Sequence, residues 1–146
     1  MYFATTDGLI IKNENKFSWM TSENGLPVDD LRSIHRDSKG HLWLGTFGGG
    51  AVYLENKGID HFGSNTEIPP FGANTIIEDH DGTIWIATNK QGLVLANGTR
   101  TTRPDGILVN DMPNAIASTA NPSKTSIYFA QYEGSVVKIA RSSIRQ

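Results

Sequence analysis

Leu42-Trp43-Leu44-Gly45-Thr46 is echoed 42 residues later by Ile84-Trp85-Ile86-Ala87-Thr88. In both copies an aromatic is flanked by aliphatics and closed by a small residue and Thr. Two further copies lie outside them, Tyr2-Phe3-Ala4-Thr5 near the start and Ile127-Tyr128-Phe129-Ala130 near the end. The anchor aromatics therefore fall at 2, 43, 85 and 128, spaced by 41, 42 and 43 residues. Self-similarity at this period is the signature of a stacked-repeat architecture, and it lies within the range of propeller blades.

Each central anchor is preceded by a polar turn six residues ahead of its Trp, Asp37-Ser38-Lys39-Gly40 and Asp79-His80-Asp81-Gly82. Asp accepts local backbone hydrogen bonds and Gly accepts positive φ, which suits a tight hairpin. Asn121-Pro122-Ser123-Lys124 keeps that chemistry in the last copy with one residue inserted. A second turn follows each anchor, at Asp7-Gly8, Gly48-Gly49-Gly50, Lys90-Gln91-Gly92 and Glu133-Gly134, and leads into an apolar strand such as Ala51-Val52-Tyr53-Leu54 or Leu93-Val94-Leu95. An outer strand ending in Ile59-Asp60-His61-Phe62 and inner strands holding Leu31-Arg32-Ser33-Ile34 or Asn74-Thr75-Ile76-Ile77 complete four short antiparallel strands per repeat. Anchor strands apolar on both sides predict sheets stacked face to face. The fold class is thus an all-β propeller of about four blades, approximately 1–20, 21–63, 64–104 and 105–146, in a single domain 1–146.

The stretch Gly25-Leu26-Pro27-Val28-Asp29-Asp30-Leu31-Arg32-Ser33-Ile34, continued by Asp37-Ser38-Lys39-Gly40-His41-Leu42-Trp43-Leu44-Gly45-Thr46-Phe47-Gly48-Gly49-Gly50, resembles a two-component-regulator propeller repeat. The next copy departs from the pattern, with Pro69-Pro70-Phe71-Gly72 in place of Gly-Leu-Pro and Ala87 before Thr88. The last keeps only Gly106-Ile107 and Tyr128. The resemblance implies a sensor propeller that binds a ligand or partner, often a carbohydrate breakdown product, in proteins whose propellers usually sit outside the bacterial membrane ahead of further domains.

Composition narrows the partners. With 13 basic and 15 acidic residues the net charge is −2, so nothing draws in nucleic acid or anionic lipid. The absence of cysteine excludes disulfides, thiolate metal sites and thiol nucleophiles. No apolar run is as long as a membrane span, and Met1 to Gly8 lacks the features of a secretory signal, which leaves the compartment undetermined. No metal or cofactor is expected: Asp37, Asp79 and Asp81 read as turn formers rather than as a dense acidic calcium loop.

Trp43 and Trp85, recurring at one repeat position, read as inter-blade core rather than as sugar platforms. Ligand recognition is expected at the channel mouth, where loops lead into the inner strands. The candidate ligand-binding residues are Asp29, Asp30, Arg32, His35, Asn74, Asn110 and Asp111. No residue is assigned a catalytic role. The alternative is a lyase-type propeller enzyme in which His35 acts as base with a metal, or a fragment of a larger sensor. Because Tyr2 aligns with the anchor, the first blade lacks an inner strand, and an open arc would leave two apolar faces in water. A homodimer closing a ring of about eight blades is therefore expected.

Overall fold

The computed structural model describes residues 1–55, 58–62, 72–89, 92–97, 100–102, 113–118, 126–131 and 134–140. The strands form four antiparallel sheets in chain order. The first holds β1 (Tyr2–Thr5), β2 (Gly8–Asn13) and β3 (Lys16–Met20), and the second β4 (Leu31–Arg36), β5 (Leu42–Thr46), β6 (Ala51–Glu55) and β7 (Gly58–Phe62). The third holds β8 (Ala73–Glu78), β9 (Ile84–Thr88), β10 (Leu93–Asn97) and β11 (Arg100–Thr102). The last described sheet comprises β12 (Pro113–Ser118), β13 (Ser126–Gln131) and β14 (Val136–Ala140). Each sheet is a meander of neighbouring hairpins, the blade predicted from the repeat. The first blade starts at its anchor strand, as Tyr2 indicates, and the ring is not closed within this chain.

The anchor strands β5 and β9 are buried along their whole length. Successive side chains of a strand point to opposite faces, so burial of every residue requires a blade on each side. Three buried clusters meet this need. Leu9 of blade one packs with Leu31, Leu42, Leu44 and Val52 of blade two, with Ala4, Ile11 and Met20 against them. Trp43 and Ala51 of blade two meet Ala73, Ile76, Ile84, Ile86, Val94 and Ala96 of blade three. Trp85, Ala87, Leu93 and Leu95 of blade three meet Ile116, Ile127 and Phe129 of blade four. Blades two and three thus each have a forward face headed by the anchor aromatic and a backward face of aliphatics.

The turn motifs acquire specific jobs. Asp37 Oδ1 accepts hydrogen bonds from the Lys39 and His41 amides at 3.0 and 2.8 Å, while its Oδ2 accepts from the Trp43 indole at 3.0 Å. Asp79 repeats the arrangement with the Asp81 and Thr83 amides, both at 3.0 Å, and the Trp85 indole at 2.8 Å. A buried indole N–H needs an acceptor, and the turn Asp six residues upstream supplies it. At the other end of the anchor, Thr46 Oγ1 donates to the Gly50 carbonyl at 2.8 Å, Thr88 Oγ1 to Gly92 at 2.9 Å and Thr5 Oγ1 to Gly8 at 2.7 Å. The Thr that closes the motif clamps the second turn in three blades. Asn121 to Lys124 lie outside the described residues.

Blades are also joined by polar contacts. The Ser38 amide donates to Glu78 Oε2 at 2.7 Å and its hydroxyl to Oε1 at 2.6 Å, which ties the turn of blade two to the inner strand of blade three. The Gly8 amide donates to the Asp29 carbonyl at 3.0 Å, and Gly50 bridges Gly72 in parallel.

Candidate functional site

Every inner strand carries an irregularity at the same place. Leu31 pairs with Thr46 and Ser33 with Gly45, leaving Arg32 without an opposite residue. Ala73 pairs with Thr88 and Thr75 with Ala87, leaving Asn74 in the same position. Pro113 pairs with Gln131 and Ala115 with Ala130, leaving Asn114. A β-bulge takes one residue out of the ladder and re-aims its side chain, and bulges recur beside functional sites. The three bulges lie at the ends of the inner strands where loops lead in, beside the second turns.

Around the first bulge the groups converge. Arg32 Nη2 donates to Asp30 Oδ2 at 2.7 Å, and its guanidinium carbon stands 4.7 Å from the centroid of the Phe47 ring. The Phe47 amide in turn donates to the Asp30 carbonyl at 2.8 Å, so backbone and side chain hold the three residues together. The Arg32 side chain is 45% exposed and Phe47 is 55% exposed, whereas Asp30 Oδ1 is buried without a hydrogen-bond partner. An exposed guanidinium over an exposed ring, backed by a carboxylate, presents hydrogen-bond donors and an apolar surface side by side.

The other sequence candidates divide. Asp29 lies in the same loop, but its carboxylate is engaged by Ser22, from the amide at 2.6 Å and from the hydroxyl at 3.1 Å, and its role in the structure is to brace the loop that joins blades one and two. Asn74 is half-buried at the second bulge, equivalent in register to Arg32. His35 lies mid-strand opposite Trp43, and its Nε2 is enclosed without a hydrogen-bond partner, away from the Arg32 rim. Asn110 and Asp111 lie outside the described residues. In blade four the bulge position belongs to Asn114, whose Asn-Ala-Ile sequence parallels Asn74-Thr75-Ile76. Among the described residues no three His, Asp or Glu gather as a metal would require.

One residue escaped the sequence reading. Phe47 stands inside the Gly-Thr-Phe-Gly-Gly-Gly stretch that reads as a turn, and only its stacking under Arg32 marks it. Trp19 of β3, which lies outside the repeated anchor position, is 57% exposed.

Asp37 belongs to the scaffold, with His41 Nδ1 at 2.9 Å from its Oδ2. Burial acts to raise its pKa. The hydrogen bonds from the Trp43 indole and from His41, together with the His41 charge, outweigh burial and hold the carboxyl below its ordinary 3.8.

Residues 25–48 and 72–90 match the family described as two component regulator propeller. No curated protein matches the chain. Among solved structures, the chain resembles the extracellular domain of a hybrid two-component system from B. thetaiotaomicron, with a TM-score of 0.73 and 20% identity over 97% of this chain. The likeness spans 19% of that longer chain and speaks for the fold. The two matched segments contain the second and third anchor strands with their inner-strand bulges or the loops that lead to them. The second and third blades, over these two segments, thus match the two-component regulator propeller repeat.

Proposed function

We propose that the chain is a non-enzymatic recognition module that binds a small hydroxylated or carboxylated ligand, carbohydrates among them, at the rim formed by Arg32, Asp30 and Phe47. The observation that carries this reading is the repeated bulge at Arg32, Asn74 and Asn114, which takes one polar residue per inner strand out of the ladder on the same end of successive blades. A cation stacked on an exposed aromatic suits a sugar ring, whose axial hydrogens meet the ring while its hydroxyls or carboxylate meet the guanidinium and the bulge amides. Asp30 positions Arg32 and adds an acceptor. The enclosed Nε2 of His35 favours this reading over a histidine base, which needs access to the proton it removes. A sensor role within a longer protein is in keeping with the small share of the similar extracellular domain that this chain spans.

The test is a titration of the whole chain with galacturonate and glucose oligomers, followed by backbone amide shifts. Shifts centred on residues 30–32, 47–50 and 72–74 are expected. Arg32→Ala and Phe47→Ala abolish them, and Lys39→Ala, in a turn at the opposite end of the blade, leaves them in place. Binding by the wild type that persists in both rim variants overturns the site.

A further inference from the structure

Phe129 and Phe3 hold one repeat position in two environments. Tyr128-Phe129-Ala130 in β13 corresponds to Tyr2-Phe3-Ala4 in β1, and the register agrees, Phe129 facing Val137 as Phe3 faces Ile10. Phe129 is 2% exposed, in the cluster with Trp85, Ala87, Leu93 and Leu95 on the forward face of blade three. Phe3 is 42% exposed.

The rest of that backward face is apolar as well. Cross-strand pairing places Phe3, Ile10 and Trp19 in one row and Lys12 beside Phe17 in the next. Phe17 is 53% exposed and Trp19 57%. Three large aromatics on one face of a three-stranded sheet exceed the scattered exposure that a soluble surface carries.

At the other end of the arc, the forward face of blade four has the features that the backward faces meet inside the chain. Tyr128 takes the position of Trp43 and Trp85, and Ala130 that of Gly45 and Ala87. The small residue at this position is what lets the next blade approach. A Cβ on Gly45 would lie 2.5 Å from the Ala73 carbonyl of blade three. Beside these, Val136 is 69% exposed.

We propose that the backward face of blade one, through Phe3, Phe17 and Trp19, docks on the forward face of blade four of a second copy of this chain, around Tyr128, Ala130 and Val136. The contact is head-to-tail, so it joins unlike faces and closes a two-chain ring if the rotation allows, or extends into a longer assembly. Lys12 and Lys138 shape its salt response. They take the positions of Ala96 and Tyr53, which share a buried environment between blades two and three, so docking brings two ammonium groups together. Their repulsion is screened by salt, and self-association tightens as ionic strength rises.

Sedimentation of the whole chain across a concentration series tests the proposal. A concentration-dependent dimer or larger species is expected, accompanied by a blue shift of Trp19 fluorescence that Trp19→Phe removes. Phe3→Glu and Ala130→Arg each abolish self-association, and an equimolar mixture of the two recovers a dimer, because each variant keeps the face the other lacks. A wild type that stays monomeric at all concentrations overturns the proposal. So does a mixture that stays monomeric while both variants keep the wild-type circular dichroism, because each still carries the face that the other has lost; self-association that persists in either variant alone means that like faces pair, and overturns it as well. If Ala130→Arg unfolds, Val136→Asp takes its place in the mixture. Rim titrations are read separately, so failure here leaves the Arg32 site standing.

Discussion

At the scale of single residues, the two turn aspartates behave as structural side chains whose loss is costly. Asp79 is 4% exposed and serves the Trp85 indole together with two amides of its own turn. Replacing it by Ala leaves a buried indole N–H without an acceptor, and urea denaturation should show a loss of about 2–3 kcal/mol. Asp37 adds a pH signature. Its folded pKa lies below the ordinary 3.8, so it contributes stability that is fully present above that value and is lost as pH falls through the lower folded pKa. Asp37→Asn should therefore be less stable than wild type at neutral pH, with the difference shrinking below about pH 4 in a series of denaturation curves. Had Asp37 served only as a flexible turn residue, the two proteins would show parallel curves.

At the scale of the strand and turn, Gly45 illustrates how a small residue in an anchor strand answers to its neighbour blade. A Cβ there would collide with Ser33 Oγ and the Ala73 backbone carbonyl, and the carbonyl cannot turn aside. Gly45→Ala should cost about 1–3 kcal/mol by denaturant titration, and adding Ser33→Ala should not restore wild-type stability, since the Ala73 contact remains. In blade three, Ala87 holds this same position and is fully buried. This scale is also where sequence reading succeeds and stops. The blade was legible because Trp43 and Trp85 recur at one spacing and the Asp and Gly of each turn have local geometric causes. The strand order followed from those turns. The rim was legible only in part. Asp30, Arg32 and Asn74 could be placed by their position at the start of inner strands, but the bulge is a property of the ladder between two strands, and the pairing of Arg32 with Phe47 joins residues 15 apart across a hairpin. Neither appears in a one-dimensional pattern. Asp29 looked equivalent to Asp30 in sequence, and only three-dimensional pairing with Ser22 separates bracing from recognition.

At the scale of the whole molecule, stability should be graded along the arc. The anchor strands of blades two and three have a blade on each side, while β1 of blade one is covered on one face only. Amide hydrogen exchange at low protein concentration should find the Leu42–Thr46 and Ile84–Thr88 amides the slowest, and those of Tyr2–Thr5 faster by one or more orders of magnitude. Uniform protection across all anchor strands would mean that the arc unfolds only as one unit. Raising the concentration should slow exchange in blade one first if a second copy covers it.

The bulge has a consequence for how such a molecule can change. Arg32 and its counterparts sit outside the pairing that sets register, so exchanging them leaves the count of ladder bonds and the alternation of inward and outward side chains untouched. Trp43 and Gly45 have no such latitude, since each is bound to a neighbouring blade. If the rim binds as proposed, binding preference and architecture are written in separate residues of the same strand pair, and a new specificity can arise by substitution at one position per blade without renegotiating the fold.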